Sequence, residues 1–234
     1  MERNLKSAQT RARLVDATIR CIVKFGYANT ITSKIAAEAG MSRGAMLHHF
    51  ELGSVLIKAT IVELHERRIR AFRRASKTVS HDPATMVREY WRQLQKPAFV
   101  AFHELALAAR SSKDLARILH PLEIDYRERF MKEAVELFPE WNADRKSLQV
   151  AMTLSQTLLE GMAIKVHTGS MDSKMIEPML RLVEREIYVM NPDLKIRHDA
   201  EATVLKGAAK ARARVRGAAV PHAAKKKSRR TVPY

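Results

Sequence analysis

Residues 30–50, TITSKIAAEAGMSRGAMLHHF, constrain the fold of this chain more than any other segment. They predict two short helices joined by a tight turn. We expect Thr32 to cap the first helix and Ser42 to cap the second, because their side-chain oxygens can accept an otherwise unpaired N–H of the first turn. Gly40 lies between the helices, where a left-handed turn favours a residue without Cβ. The second helix then begins at Arg43, which completes a helix-turn-helix.

A third helix is predicted just upstream. Its apolar face repeats at helical spacing through Leu14, Thr18, Cys21, Ile22 and Phe25. Gly26 follows at the position where a helix would end. Together with Ile35 and Phe50, this face supplies enough apolar side chain for a small three-helix core that would hold the helix-turn-helix rigid.

The charge is distributed unevenly along the chain. The net charge is +17, made up of +9 in residues 1–80, −2 in residues 81–194 and +10 in residues 195–234. A basic segment favours contact with DNA phosphates through counterion release, whereas a nearly neutral middle does not. The two ends of the chain are therefore the parts expected to contact DNA.

A helix that begins at Arg43 is suited to the major groove, with its leading residues facing the base edges. The residues expected to contact DNA are Thr32, Lys34, Ser42, Arg43, Gly44, Ala45 and His48. Thr32, Lys34 and Ser42 are suited to phosphates, which set the register. Arg43 is expected to read a guanine, with a phosphate as its alternative partner. Gly44 permits close backbone approach and Ala45 can touch a thymine methyl. His48 is expected to meet a phosphate or a base edge, and its alternative is a structural role.

This region resembles the DNA-binding head of the tetracycline-repressor (TetR) family over residues 10–65. The matching residues are Gly26-Tyr27, the Thr-x-x-Ile-Ala run from Thr32 to Ala36, Ala39-Gly40-Met41-Ser42, Gly44 and His49-Phe50. The resemblance implies an all-helical regulator with an effector-binding, dimeric body. The chain departs from the family at Leu47, where members commonly have Tyr, and at Gly53, where they commonly have a Lys that contacts phosphate.

The rest of the chain also predicts helices, and no alternating stretch indicates a sheet. Helix starts are expected at Ser54, at Asp82-Pro83, at Pro97 and at Ser112, and two more helices at approximately 143–168 and 173–190. The fold class is therefore all-α. We divide the chain into a DNA-binding head (residues 8–53), an effector-binding and dimerisation body (residues 54–194) and a basic tail (residues 195–234).

The last two predicted helices carry more apolar surface than one buried stripe needs. In the resemblance, the equivalent pair forms a four-helix dimer interface. We therefore expect a homodimer through approximately 146–168 and 175–190, and the alternative is a wholly intramolecular core.

The body is expected to hold a small-molecule effector whose identity the sequence does not reveal. The candidate lining residues combine aromatic rings, apolar side chains and two histidines, as small-molecule sites commonly do: Trp91, Phe99, Phe102, His103, Met152, Leu159 and His167. The alternative for each of them is an ordinary place in the core.

Enzyme, metal and membrane classes find little support in the sequence. His103-Glu104 begins a zinc-protease pattern, but Leu107 occupies the position of the second zinc ligand. No nucleophile elbow, phosphate-binding loop or dinucleotide fingerprint occurs, and no cofactor is expected. No apolar run approaches the ~18 residues of a membrane span, and Met1 to Thr10 is too polar for a signal peptide. With one cysteine, Cys21, the chain is expected in the cytoplasm, associated with the nucleoid.

The basic tail is rich in Ala, Lys and Arg and is expected to be disordered or transiently helical. It either strengthens non-specific DNA binding or is a solvated extension. Taken together, these patterns predict a sequence-specific regulator, most simply a repressor that a small molecule releases from its operator. The alternative is a histone-like architectural protein with little sequence preference. A third reading, an enzyme within the middle helices, lacks a converging acid–base set.

Overall fold

The computed structural model describes residues 2–78 and 82–194, and every regular element within these ranges is helical. In chain order the helices are α1 (Glu2–Phe25), α2 (Thr32–Glu38), α3 (Arg43–His49), α4 (Gly53–Thr78), α5 (Pro83–Leu94), α6 (Pro97–Ala109), α7 (Lys113–Leu137), α8 (Arg145–His167) and α9 (Ile176–Met190). Short 3-10 helices at Pro139–Trp141 and Ser173–Met175 precede α8 and α9. The predicted all-α class is confirmed.

Local sequence signals set the helix starts in the body. Asp82 accepts a hydrogen bond from the backbone N–H of Thr85 at 3.0 Å, with Pro83 as the first helical residue of α5. Ser112 accepts one from the N–H of Leu115 at 3.3 Å and caps α7. Helix α6 begins at Pro97, as predicted. In each case the signal lies within a few residues of the helix that it starts, which is why it can be read from the sequence.

One apolar cluster connects the head with the body. It includes fully buried side chains from α1, α3, α4, α6 and α7, namely Leu14, Ile22, Met46, Leu56, Leu105 and Leu115. Helix α1 packs against α2, α4 and α6, so it contacts both parts of the molecule. The head therefore packs against α4 and α6 through this apolar cluster, and α1 contacts both the other head helices and the body.

The helices through Asn191 form one compact unit, and a second unit begins at Pro192. The predicted basic tail lies outside the described residues. The division at residues 53 and 54 remains a prediction, since the apolar cluster runs across it. Among the described helices, none is both long and apolar enough to cross a lipid bilayer.

Candidate nucleic-acid interface and adjoining cavity

The turn between α2 and α3 is closed by two backbone hydrogen bonds. The N–H of Gly40 donates to the carbonyl of Ala37, and the N–H of Met41 donates to the carbonyl of Ala36, both at 3.0 Å. This pair defines a Schellman motif, which needs a left-handed residue just after the helix. Gly40 has φ = +65° and meets that need. The predicted role of Gly40 is confirmed, and the turn fixes the direction in which α3 leaves α2.

Helix α3 has a capped N-terminus, one buried side and one exposed side, as a helix that reads a DNA groove requires. The Ser42 hydroxyl oxygen accepts a hydrogen bond from the N–H of Ala45 at 3.1 Å, which confirms the predicted cap. Met46 and Phe50 are buried against the head core. The residues that remain exposed are Ser42, Arg43, Gly44, Ala45 and His48. The leading end of α3 is therefore open to a partner while its other side anchors it.

The predicted cap at Thr32 is wrong. Helix α2 begins at Thr32, so the N-cap position falls one residue earlier, on Ile31. The Ile31 backbone is extended and its side chain makes no capping hydrogen bond. The preceding turn sets this register: the N–H of Thr30 donates to the carbonyl of Tyr27, and the Thr30 hydroxyl donates to the carbonyl of Gly26. Thr32 is therefore the first helical residue of α2. Its proposed phosphate contact does not depend on the cap and stays a prediction.

Lys34 and His48, the remaining residues predicted to contact DNA, lie on α2 and α3. Lys34 is half-buried on α2, and its Nζ lies 4.5 Å from the centroid of the Phe25 ring. His48 is exposed in the last turn of α3, and its ring meets that of His49 edge to face at 5.7 Å between centroids. The roles of both side chains toward DNA stay predictions.

Two arginines of α1, which the sequence reasoning missed, hold the helix-turn-helix in place. Arg11 donates to the carbonyl of His49 at the end of α3, and its guanidinium lies 4.0 Å from the centroid of the Phe50 ring. Arg20 donates through Nε to Glu38 of α2 at 2.6 Å. These pairs are separated by 38 and 18 residues in the sequence, so no local pattern could have revealed them. Helix α1 thus braces both helices of the motif.

A cavity of about 590 Å³ opens beside the head. Its lining comes from α1, α4, α5, α6 and α7, and its apolar part includes the aromatic rings of Phe72, Phe99, Phe102, Tyr126 and Phe130. Residues of α1, including Asp16 and Arg20, form part of the wall. This volume lies within the usual range of small-molecule sites, about 300–1,000 Å³.

The structure divides the predicted effector residues into two groups. Phe99 and Phe102 line the cavity. The other five, which are not among its lining residues, are Trp91, His103, Met152, Leu159 and His167. The ring nitrogen Nε2 of His167 lies 3.0 Å from the carbonyl oxygen of Leu94, and Leu159 is fully buried. An effector role for these five residues has no support from this cavity and remains a prediction only.

A polar network lies against the cavity wall and is centred on Glu160 of α8. The Arg68 guanidinium donates to Glu160 Oε1 at 2.9 Å, and the Tyr90 hydroxyl donates to the same oxygen at 2.6 Å. His103 Nε2 lies 3.6 Å from Glu160 Oε2. The Arg68 guanidinium also lies over two rings, 4.5 Å from the centroid of Tyr126 and 4.9 Å from that of Phe102.

The network keeps Glu160 ionised. Burial alone would raise the pKa of Glu160, but hydrogen bonding to His103 and Tyr90 and the charge of Arg68 outweigh it, so its pKa is lowered. Burial next to this carboxylate raises the pKa of Tyr90 well above its usual value, and burial raises the pKa of Tyr126 to about 12. At neutral pH the network therefore contains a charged arginine–glutamate pair and two neutral phenols, and of these four groups Arg68, Tyr90 and Tyr126 line the cavity.

Helices α8 and α9 pack on each other and leave apolar side chains exposed. The large ones are Val150 and Ile164 on α8, Val189 on α9, and Met175 just before α9. Gly161 lies on the same exposed side of α8, and a Cβ built there meets nothing within 4 Å. An exposed apolar helix face that also carries a glycine suits close packing against another helix.

The helical fold and the exposed leading end of α3 define an all-helical protein with a helix-turn-helix head. Comparison with known proteins finds relatives of the same class. Residues 14–51 match the family model described as "Bacterial regulatory proteins, tetR family". The HTH-type transcriptional regulator TtgR of Pseudomonas putida is 32% identical over 115 residues, which are 49% of this chain and 51% of that protein. The chain therefore matches about half the length of that relative.

Two further comparisons extend over more of the molecule. An uncharacterised HTH-type transcriptional regulator of Mycobacterium bovis is 28% identical over 170 residues, or 67% of this chain and 82% of that protein. The structure of Salmonella enterica GusR has the same fold, with a TM-score of 0.58 at 18% identity over 78% of this chain and 95% of that one. The head of this chain is therefore similar in sequence to the TetR family of regulators, and the described residues share the fold of solved structures from that family.

Proposed function

We propose that this protein is a sequence-specific DNA-binding regulator that reads the major groove with α3. The observation that carries the proposal is the exposed leading end of α3, which presents Arg43, Gly44 and Ala45 while Met46 and Phe50 anchor the opposite side. Such a helix places its first residues against base edges. The Arg43 guanidinium matches the two acceptors of guanine, a contact worth about 1–3 kcal/mol of discrimination.

The regulator acts as a homodimer through α8 and α9. The apolar side chains that these helices expose, such as Val150 and Ile164, favour burial against a second copy. Two heads related by a two-fold axis read half-sites about one helical turn of DNA apart, so the operator is a near-palindrome. Replacement of Ile164 by Asp is expected to convert the dimer into monomers in light scattering after size exclusion.

The regulator is a repressor that a small molecule releases from its operator. The cavity supports this part of the proposal because its wall includes α1, the helix that braces α2 and α3. Such a ligand would favour a spacing of the two heads that fits DNA poorly. It can shift DNA binding only by as much as its affinity differs between that arrangement and the one that fits the operator. The histone-like alternative has no comparable support, since a uniform grip on DNA needs no effector cavity and no helix with a capped, exposed leading end.

Arg43→Ala tests the DNA reading. Operator fragments are first selected from genomic DNA with the wild-type protein, and binding is then compared with that to scrambled duplexes of equal length. The variant is expected to lose about 5- to 150-fold of this preference, the equivalent of 1–3 kcal/mol. The control is Arg117→Ala, an exposed arginine of α7 that pairs with Asp114. Unchanged discrimination by Arg43→Ala, or no wild-type preference at all, would refute the proposal.

A further inference from the structure

The charged side chains in the cavity wall are mostly basic. Five are positive, namely Arg20, Arg67, Arg68, Arg74 and Lys96, and two are negative, Asp16 and Glu89. The glutamates that bond to three of these arginines, Glu38, Glu63 and Glu160, are not among the lining residues. Arg20, Arg67 and Arg68 therefore each have a glutamate partner that lies outside the cavity wall.

Arg68 is the basic group most deeply placed among the aromatic rings. Its guanidinium lies over Tyr126 and Phe102, and it donates one Nη2–H to Glu160. A guanidinium has five N–H donors, and Glu160 is the one acceptor that the described residues provide for it. Glu160 in turn accepts from Arg68 and Tyr90 through the same oxygen and has His103 beside the other. Donors thus exceed acceptors at this end of the cavity.

The carboxylates of the wall are already engaged. Asp16 forms an ion pair with Arg67. Glu89 pairs with Arg92 at 2.6 Å and accepts a hydrogen bond from Gln93 at 2.9 Å. A cationic ligand would therefore have to displace an existing partner, whereas an anionic ligand adds an acceptor where donors remain.

We propose that the cavity binds an amphipathic anion, in which a carboxylate or sulfonate meets Arg68 and a hydrocarbon body packs among Phe72, Phe99 and Phe130. The anionic group of such a ligand would receive charge-assisted hydrogen bonds from the Arg68 guanidinium, which the aromatic rings hold in place. Its hydrocarbon body would pack against the apolar wall, and the cavity volume is in the range of small-molecule sites. The proposal deepens and rests on the effector-responsive function proposed above.

The cavity also provides a direct route from this ligand to the head. Asp16, Ile19 and Arg20 of α1 belong to its wall, and Arg20 holds Glu38 of α2. A ligand whose carboxylate meets Arg68 fills the same cavity that these α1 residues border. Occupancy therefore bears on α1 and on the Arg20–Glu38 contact that helps to set the position of α2, without first passing through the dimer interface.

Three pyrene probes of matched hydrocarbon body test the ligand class on the full-length protein without DNA. They are 1-pyrenebutanoate, 1-pyrenebutanol and 1-pyrenebutyltrimethylammonium, and binding is followed by fluorescence anisotropy at fixed ionic strength. The anion is expected to bind about tenfold or more tightly than the alcohol, the gain of a charge-assisted hydrogen bond. The ammonium probe is expected to bind more weakly than the alcohol.

Variants assign the preference to the cavity. The double variant Arg68→Met with Glu160→Gln removes both charges and leaves no buried carboxylate unpaired, and it is expected to lose the anion preference while keeping its affinity for the alcohol. Arg68→Lys keeps the charge and is expected to retain part of the preference. The control is Arg70→Gln, on the same helix, which bonds to Glu63 and does not line the cavity. Retained binding of the alcohol shows that the variants are folded.

Several outcomes overturn the proposal. These are equal affinity for the three probes, tighter binding of the ammonium probe, no binding of any probe, or an anion preference that survives in the double variant and so arises elsewhere on this basic chain. Release of selected operator DNA by 1-pyrenebutanoate is measured separately. If the anion binds selectively but does not release operator DNA, the proposed ligand class stands and the proposed effector function is contradicted. If the protein binds operator DNA selectively but shows no preference for the anion, the DNA-binding function stands and the ligand class is contradicted.

Discussion

Gly40→Ala is the sharpest test of how the two helices of the motif are joined. Gly40 has φ = +65°, and a Cβ built there meets nothing within 4 Å. Any cost therefore comes from the backbone and not from a clash. A left-handed residue with a Cβ costs about 1–2 kcal/mol. The two 3.0 Å hydrogen bonds that close the turn hold the residue in this conformation, so the strain cannot relax without breaking one of them.

The free energy of unfolding, measured in urea at one protein concentration, is therefore expected to fall by about 1–2 kcal/mol in Gly40→Ala. Gly40→Asn is expected to fall by less, because asparagine tolerates the left-handed region. Gly53→Ala is the control: Gly53 has no positive φ, and its added Cβ meets Thr32 Cγ2 at an ordinary 3.8 Å. If Gly40→Ala were as stable as Gly53→Ala, the reasoning about this turn would be refuted.

Three further predictions address separate contacts. Gly53→Lys is expected to tighten DNA binding and to steepen its salt dependence by about one phosphate contact, and an unchanged slope would place residue 53 away from DNA. Arg11→Met removes the donor to the His49 carbonyl and is expected to lower the free energy of unfolding by about 0.5–1.5 kcal/mol and to weaken operator binding; unaltered operator affinity would deny the bracing role. Hydrogen bonds led by Arg88 lower the pKa of Glu177 from 4.5 to about 2, so its stabilisation is present above pH 4.5 and is lost as the pH falls toward 2; Glu177→Gln should flatten this part of an acid unfolding profile, and parallel profiles would contradict it.

Local chemistry explains which elements the sequence could predict. Ser42, Asp82 and Ser112 cap helices through bonds to residues only three positions away, and Gly40 supplies its turn by its own backbone. Thr32 failed as a cap because the turn before it, closed at Thr30, fixed the register first. The rule for caps was sound, but two adjacent signals competed and only geometry decided between them.

The cavity was harder to predict because its wall is assembled from distant segments. Phe99 and Phe102 were found as aromatic residues on one predicted helix, and both line it. Arg68 has no distinctive local signal in the sequence, since its contact with Glu160 joins residues that are 92 positions apart. Nothing in the sequence indicates that α1 reaches the cavity. Helical periodicity identifies which side of a helix is buried but not which partner buries it.

Helix α1 contacts both the helix-turn-helix and the cavity, and this limits how the protein can be re-engineered. One face of the helix anchors the end of α3 through Arg11, and its Asp16 and Arg20 border the cavity. Under the proposed function, changes made there to suit a new ligand are therefore expected to shift the position of α3 as well. The proposed ligand site and the proposed DNA-reading helix are therefore not separable modules in this chain. Moving either one to another protein requires moving α1 with it and adjusting the remaining contacts of α1.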